Sequence, residues 1–187
     1  GGLTSAELAE YNANREPARA VPFGDVVAYV PQGNVASGRF ATALLARVGG
    51  AQGLSDDANP AASIAAATKQ VLDAFKIASL PKDLGATGFA ATDTNGEAVA
   101  CGVTMNGPFG SGHTAKGTGV TLAKSPSSGA AGLSAAFLTP IVAADSSGAI
   151  ALAGAGAGGP NGTAAAIYAL ARLSRGSDVT RSSDIHS

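Results

Sequence analysis

Small side chains dominate this sequence and set the tightest limit on how it can fold. Alanine and glycine together fill more than a third of the 187 positions, and 26 of these positions are glycine. Because these side chains extend one carbon or none beyond the backbone, neighbouring sheets and helices can pack with their backbones close together. A chain of this length is sufficient for one hydrophobic core. We therefore predict a single domain over residues 1–187, with a flexible tail at 177–187.

The composition excludes several classes of protein. Apolar residues make up 45% of the chain and charged residues only 13%, a balance that is typical of folded rather than disordered proteins. The 12 basic residues are matched by 13 acidic ones, and aromatic residues amount to only 5%. The chain therefore lacks both the positive field and the aromatic surface that nucleic-acid binding needs, and we expect no nucleic-acid partner.

The sequence also argues against membrane spans, disulfides and metal sites. Its apolar stretches are shorter than the roughly 18 residues that a membrane-spanning helix requires. Cys101 is the only cysteine, which excludes an intrachain disulfide and a metal site built from cysteines. No histidines or carboxylates have the spacing of metal ligands, so we expect no metal and no other cofactor. Cys101 itself is most simply interpreted as a small core residue.

The first half of the chain has mainly helical patterns. Thr4 and Glu7 form the signature of a capping box. Asn59 and the proline after it are typical of a helix N-terminus, where asparagine caps the helix and proline occupies its first turn. Apolar residues at helical spacing follow at 40–48 and again at 64–75, while β-branched residues cluster at 25–30. The predicted elements are a helix from 4 to about 17, a strand at 25–30, and helices at 35–48 and from 59 to about 80.

From residue 85 onward the pattern changes to short strands joined by turns. The steps Asp93–Gly96 and Asp145–Gly148 predict two hairpins, the first through the positive φ of an Asn-Gly step. The predicted strands lie at 89–93, 98–105, 120–123, 137–144 and 149–153, and a helix follows from 160 to about 174. Helices, then antiparallel strands, then a helix predict an α+β fold with helices on both faces of stacked sheets.

Several motifs occur in a defined order along the chain. They are Gly1–Thr4 with Leu8, Ala9 and Tyr11, then 15–17, 23–26 and 31–38, then Asp93–Val99, Thr104–Asn106, Phe109–Gly112, Thr139–Val142 and Gly158-Gly159. This series resembles the later half of the large subunit, followed by the small subunit, of γ-glutamyltransferases. The resemblance covers most of the chain. It implies an N-terminal-nucleophile (Ntn) hydrolase fold, a reduced four-layer αββα sandwich.

The resemblance also implies where the catalytic nucleophile would lie. The family frees a threonine by cutting its own chain, so that one residue supplies the attacking hydroxyl and the amine that acts as base. Counting back without gaps from Asp93 and Gly96 places Ala86 at this position. Thr87 then takes the place of the second threonine of the family's Thr-Thr-His run, and Gly88 that of the histidine. An alanine has no attacking group.

The surrounding positions match the family in part. The resemblance implies that Thr104 corresponds to a threonine that hydrogen-bonds to the nucleophile, and Asn106 to an asparagine that binds the glutamyl substrate. Gly158 and Gly159 correspond to a pair near the oxyanion hole. The segments that would meet the substrate's amino and carboxylate groups depart from the family at 123–126 and 136–140.

Two functions remain open on this pattern. One is a degenerate, non-catalytic γ-glutamyltransferase-like protein, which acts as a structural or interaction subunit. The other is an active γ-glutamyl hydrolase or transferase that uses Thr87 after cleavage between residues 86 and 87. We favour the first, in which Thr87 is an ordinary polar residue entering a strand, because removal of a nucleophile lowers the rate by several powers of ten.

The resemblance carries further expectations about partners and location. The first half of the family's large subunit has no counterpart in this sequence, so we expect a protein partner or self-association through the surface that it would cover. The family works outside the cytoplasm and the sequence does not open on methionine, which favours a periplasmic or otherwise extracytoplasmic location.

Two other features have a simple and a functional interpretation. His113 lies in a glycine-rich loop, where it is either a solvated side chain, which we favour, or a base for a nearby hydroxyl. The glycine-rich run 154–159 precedes a helix as a phosphate loop does. It has neither the lysine of a P-loop nor a suitably placed acidic residue, which favours close packing as the reason for its glycines.

Overall fold

The computed structural model of the chain describes residues 4–32, 36–48, 59–76, 85–124 and 137–173. The predicted tail at 177–187 lies outside these residues. The elements are helix α1 (Ser5–Glu10), strands β1 (Arg19–Phe23) and β2 (Val26–Val30), helices α2 (Ala36–Val48) and α3 (Pro60–Ala74), strands β3 (Ala86–Thr92), β4 (Ala98–Thr104), β5 (Thr139–Asp145) and β6 (Ile150–Gly156), and helix α4 (Pro160–Leu173).

The predicted α+β class is confirmed by two antiparallel sheets accompanied by helices. The larger sheet has four strands in the order β1-β2-β5-β6, and the smaller is the hairpin β3-β4. In the larger sheet β1 joins β2 through a turn at Gly24, whose φ is 62°. A bulge interrupts the pairing of β5 with β6 at Ala143 and Ala144.

One face of the four-stranded sheet packs on helices and forms the core. Along β5, Thr139, Ile141 and Ala143 are buried on this side. The hydroxyls of Thr139 and Thr163 lie 2.7 Å apart and join β5 to α4 inside the core, where each satisfies the other's buried polar group. The largest fully buried apolar side chains are Phe23, Phe40, Phe137, Leu44, Leu45, Ile141, Ile167, Leu170 and Val30.

The hairpin β3-β4 packs on the opposite face of the sheet, mainly against β5 and β6. Its inward side carries glycine and alanine, which lets the two backbones come very close. A Cβ added at Gly88 would overlap the carbonyl oxygen of Ala155, and one at Gly102 would lie 3.2 Å from Leu138 Cβ. The close approach predicted from the small residues is therefore found between the two sheets.

Three layers result from this packing: helices, the four-stranded sheet, and the hairpin. Helices α2 and α4 both contact the large sheet, and α3 packs on these two helices. Within the described ranges, no helix covers the outer side of the hairpin. No described helix is long and apolar enough to cross a membrane.

Two of the predicted helices are shorter than expected. Helix α1 ends at Glu10 and not near residue 17, because Tyr11 already has an extended backbone. Helix α3 ends at Ala74 and not near residue 80, because Lys76 adopts a left-handed φ of 57° that cannot continue the helix. Residues 77–80 of that prediction lie outside the described residues.

The strand predictions also need two corrections. Strand β1 was not predicted, because Pro22 interrupts its pattern; an edge strand tolerates a proline since one side of it needs no ladder hydrogen bond. The strand expected at 120–123 is only an isolated bridge between Thr114 and Thr121. The two predicted hairpins are both present, as β3-β4 and β5-β6.

Candidate functional site

The first residue of β3 lies opposite the last residue of β4. Ala86 pairs directly with Thr104, and the backbone N–H of Met105 donates to the carbonyl of Gly85 at 2.9 Å, which extends the pairing by one step. Directly paired residues of antiparallel strands place their side chains on the same face of the sheet. Ala86 packs against the core, so this shared face is the inner one.

Thr87 lies on the other face of the hairpin. It pairs with Val103, whose side chain is 45% exposed, and Thr87 is itself exposed. Because side chains alternate along a strand, Thr87 and Thr104 point to opposite sides of the hairpin. The structure thus brings Ala86 and Thr104 together and separates Thr87 from both.

Thr104 and Asn106 form a local hydrogen-bonded unit. The backbone N–H of Asn106 donates to Thr104 Oγ1 at 3.0 Å, and the Asn106 amide Nδ2 donates to the carbonyl of Lys124 at 3.1 Å. Asn106 has a left-handed φ of 53°, a conformation that asparagine tolerates better than most residues. These contacts fix where the strand β4 ends and connect it to the end of the glycine-rich loop.

Gly158 and Gly159 form the turn between β6 and α4. Both have positive φ, 97° and 83°, which only glycine adopts readily. The carbonyl of Gly159 accepts the backbone N–H groups of Gly162 at 3.0 Å and Thr163 at 3.3 Å, so Gly159 directly precedes the first turn of the helix. A helix N-terminus preceded by glycines presents amide donors that attract an anion, which is the property that an oxyanion hole requires.

The other candidate side chains have local roles. His113 is exposed, and its Nδ1 lies 3.0 Å from the carbonyl oxygen of Ser111. Because a carbonyl can only accept, this nitrogen carries the proton. The Ser111 hydroxyl donates to the carbonyl of Leu122 at 3.0 Å. The histidine ring therefore does not activate this neighbouring hydroxyl.

Cys101 is not the core residue that the sequence predicted. It pairs with Phe89 on the outer face of the hairpin and is only half-buried, because β4 has just one side against the large sheet. Among the described residues, no three histidine, cysteine or acidic side chains are grouped as metal ligands.

Two cavities lie away from the predicted site residues. One, of about 570 Å³, lies between Ala100 of the hairpin and Tyr29 and Val142 of the large sheet. The other, of about 490 Å³, lies along α2 and includes Arg19 and Arg39. No motif in the sequence had pointed to these two arginines. One sequence feature could have identified Arg39 as a candidate binding residue: it lies in the first turn of a helix whose other face is apolar.

Comparison with protein-family models gives no match for this chain, and no curated protein matches it significantly. The resemblance to γ-glutamyltransferases therefore depends on the motifs and their order, and any function inferred from that resemblance is a proposal.

Proposed function

We propose that this protein is a degenerate, non-catalytic relative of the γ-glutamyltransferases that serves as a structural or interaction subunit. The observation that carries the proposal is the direct pairing of Ala86 with Thr104 on the inner face of the hairpin. In this arrangement the residue beside Thr104 offers a methyl group where acyl transfer needs a hydroxyl and an amine.

The residues that the resemblance assigns to support the nucleophile occur in this chain, whereas the nucleophile itself does not. Thr104 Oγ1 accepts a hydrogen bond from the Asn106 backbone, and the glycine pair still opens α4. Orientation and an oxyanion hole lower a barrier only for a nucleophile that exists. An alanine at the position of the nucleophile therefore favours a structural role.

The competing proposal, an active hydrolase that uses Thr87, meets a geometric obstacle. Thr87 and Thr104 lie on opposite faces of the hairpin. Strand β3 would have to shift by one residue relative to β4 to bring Thr87 onto the same face as Thr104. Such a slip would place Gly88 outward and Thr87 against β6, where the backbones of the two sheets already touch. No described contact favours this alternative.

The outer face of the hairpin supports the interaction role. Phe89 and Val99 are 54% and 53% exposed, and Val103, Cys101, Ala91 and Thr87 share their side of the sheet. Adjacent exposed apolar side chains of this kind usually mark an interface. In the proposed reduced αββα fold, this is the face that the second helical layer would cover, either from a protein partner or from a second copy.

The experiment that tests the proposal combines intact-mass spectrometry with an assay of γ-glutamyl-p-nitroanilide turnover. Thr87→Ala is compared with Thr92→Ala, which changes an exposed threonine of the same strand. We expect no fragments cleaved between Ala86 and Thr87, no turnover above background, and no difference between the two variants. Stoichiometric cleavage at that bond, with turnover that Thr87→Ala abolishes and Thr92→Ala retains, would establish the active alternative.

The proposal includes a periplasmic or otherwise extracytoplasmic location, since the family works there. Fractionation of cells that express the protein from its native gene tests this part separately. Recovery in the cytoplasmic fraction alone would contradict it and would leave the catalytic question unaffected.

A further inference from the structure

The cavity of about 490 Å³ beside α2 has features of a binding site that are independent of the hairpin. Its lining includes Arg19 at the start of β1, Gln32 after β2, Arg39 and Thr42 of α2, and Phe75 at the end of α3. Four separate segments of the chain thus line one polar recess. Its volume is in the range of small-molecule sites and exceeds that of a bare ion.

The positive charge in this cavity is not neutralised by the described residues. No acidic side chain is among the described residues that line it. The ion pair found in the described ranges joins Lys69 to Asp73 on the surface of α3 and involves neither arginine. Arg39 also lies in the first turn of α2, which carries no acidic residue, so its charge opposes the positive end of the helix dipole. The helix dipole therefore does not account for an arginine at this position.

Phe75 restricts the position of Arg39. The guanidinium carbon lies 5.7 Å from the centre of the Phe75 ring, a cation–π contact. A cation–π contact uses no N–H donor, so the guanidinium N–H groups of Arg39 stay available for hydrogen bonds. These N–H groups form the fork that matches a carboxylate or a phosphate.

Thr42 supplies an independent observation. Its Oγ1 is buried and has no hydrogen-bond partner among the described residues. Threonines within helices commonly donate to the carbonyl four residues back, as Thr68 does to Ile64 at 2.7 Å. Thr42 does not, although an unsatisfied buried hydroxyl destabilises a fold. Thr42 also lines the adjacent cavity, so rotation of its side chain would bring the hydroxyl to a ligand oxygen there.

We propose that this cavity binds a small organic molecule that carries an oxyanion, either a carboxylate or a phosphate ester. Arg19 and Arg39 bind the anionic group, and the Thr42 hydroxyl and the Gln32 amide each donate one hydrogen bond. The site does not depend on the proposed loss of catalysis, because no residue of the hairpin lines it.

The test uses calorimetric titration with benzoate, phenyl phosphate and, as a neutral control of similar shape, benzamide. We expect at least one anion to bind in a salt-sensitive manner and benzamide not to bind. Binding of benzoate alone identifies a carboxylate ligand, and binding of phenyl phosphate alone a phosphate ester. Absence of binding by both anions, or equal binding of benzamide, would overturn the proposal.

Variants locate the site. Arg39→Gln and Arg19→Gln should each weaken anion binding by about tenfold or more, since each removes a charged hydrogen bond. Arg47→Gln is the matched control, because Arg47 lies on the same helix, bonds to Gln70 at 2.8 Å and does not line the cavity. Thr42→Val should weaken binding without lowering the thermal midpoint of the free protein. Equal loss in Arg47→Gln, or unchanged affinity in the Arg19 and Arg39 variants, would contradict the assignment.

Discussion

At the scale of single residues, the small side chains between the two sheets determine how closely the layers pack. The abundance of alanine and glycine made a close approach predictable. The sequence could not show which glycines take part, because contact depends on strands that are far apart in the chain. Gly88 faces Ala155 directly, whereas a Cβ added at Gly154 would have only Leu152 Cδ2 nearby, at 3.9 Å.

We expect Gly88→Ala to destabilise the protein by about 1–3 kcal/mol, because its Cβ would overlap the Ala155 backbone and push the hairpin away. Gly154→Ala is the control, also in a strand, and should be neutral or stabilising since alanine restricts the unfolded chain. Urea denaturation of both variants measures the difference. Equal stabilities of the two would show that the sheets do not touch at Gly88.

At the scale of elements, the two predicted hairpins were identified correctly from their turn residues. Gly96 and Gly148 have φ of 84° and 86°. The Asn95-Gly96 step supplies the predicted positive φ at its glycine. The turns are predictable because a few consecutive residues determine them, while β1 was missed because its edge position, which tolerates Pro22, depends on the whole sheet.

Both turns use an aspartate in the same way. Asp93 Oδ1 accepts the backbone N–H groups of Asn95 and Glu97, both at 2.9 Å. Asp145 Oδ1 accepts those of Ser147 and Ala149, at 2.8 and 3.0 Å. The Glu97 backbone N–H lowers the pKa of Asp93, and the Ser147 hydroxyl is the main cause of the lowered pKa of Asp145.

These lowered pKa values predict a loss of stability in acid. A carboxyl whose pKa is lower in the folded state stabilises the fold above its unfolded pKa, and this contribution disappears as the pH falls through the folded pKa. We expect the denaturation midpoint to fall between about pH 5 and pH 3, and to fall less in the Asp93→Asn/Asp145→Asn double variant. Asp25→Asn, in the β1-β2 turn, is the control and should retain the wild-type profile. An unchanged profile in the double variant would exclude the two turns as its source.

At the scale of the whole molecule, the sequence predicted the class of the fold but not the distribution of its layers. Periodicity identified α2 from its large apolar residues, which are all buried: Phe40, Leu44, Leu45 and Val48. It could not show that α2, α3 and α4 collect on one face of the large sheet, nor that Phe89 and Cys101 point away from it. Those placements depend on strand pairing over long sequence separations, which local patterns do not encode.

The exposed hairpin face gives the prediction that belongs to this scale. If this face docks on a second copy or another protein, Phe89→Ser should abolish the association while leaving the monomer folded, because an exposed side chain contributes little to its stability. Phe109→Ser is the matched control, since Phe109 is 82% exposed and belongs to the glycine-rich loop and not to a strand of the hairpin. Size-exclusion chromatography with light scattering measures the mass, and a dye that binds apolar surface reports the free face. We expect the wild-type protein either to form an assembly larger than the monomer or to bind the dye as a monomer. Phe89→Ser should lose this signal, and Phe109→Ser should retain it. A monodisperse wild-type monomer that binds no dye would contradict the prediction that this face is a protein interface.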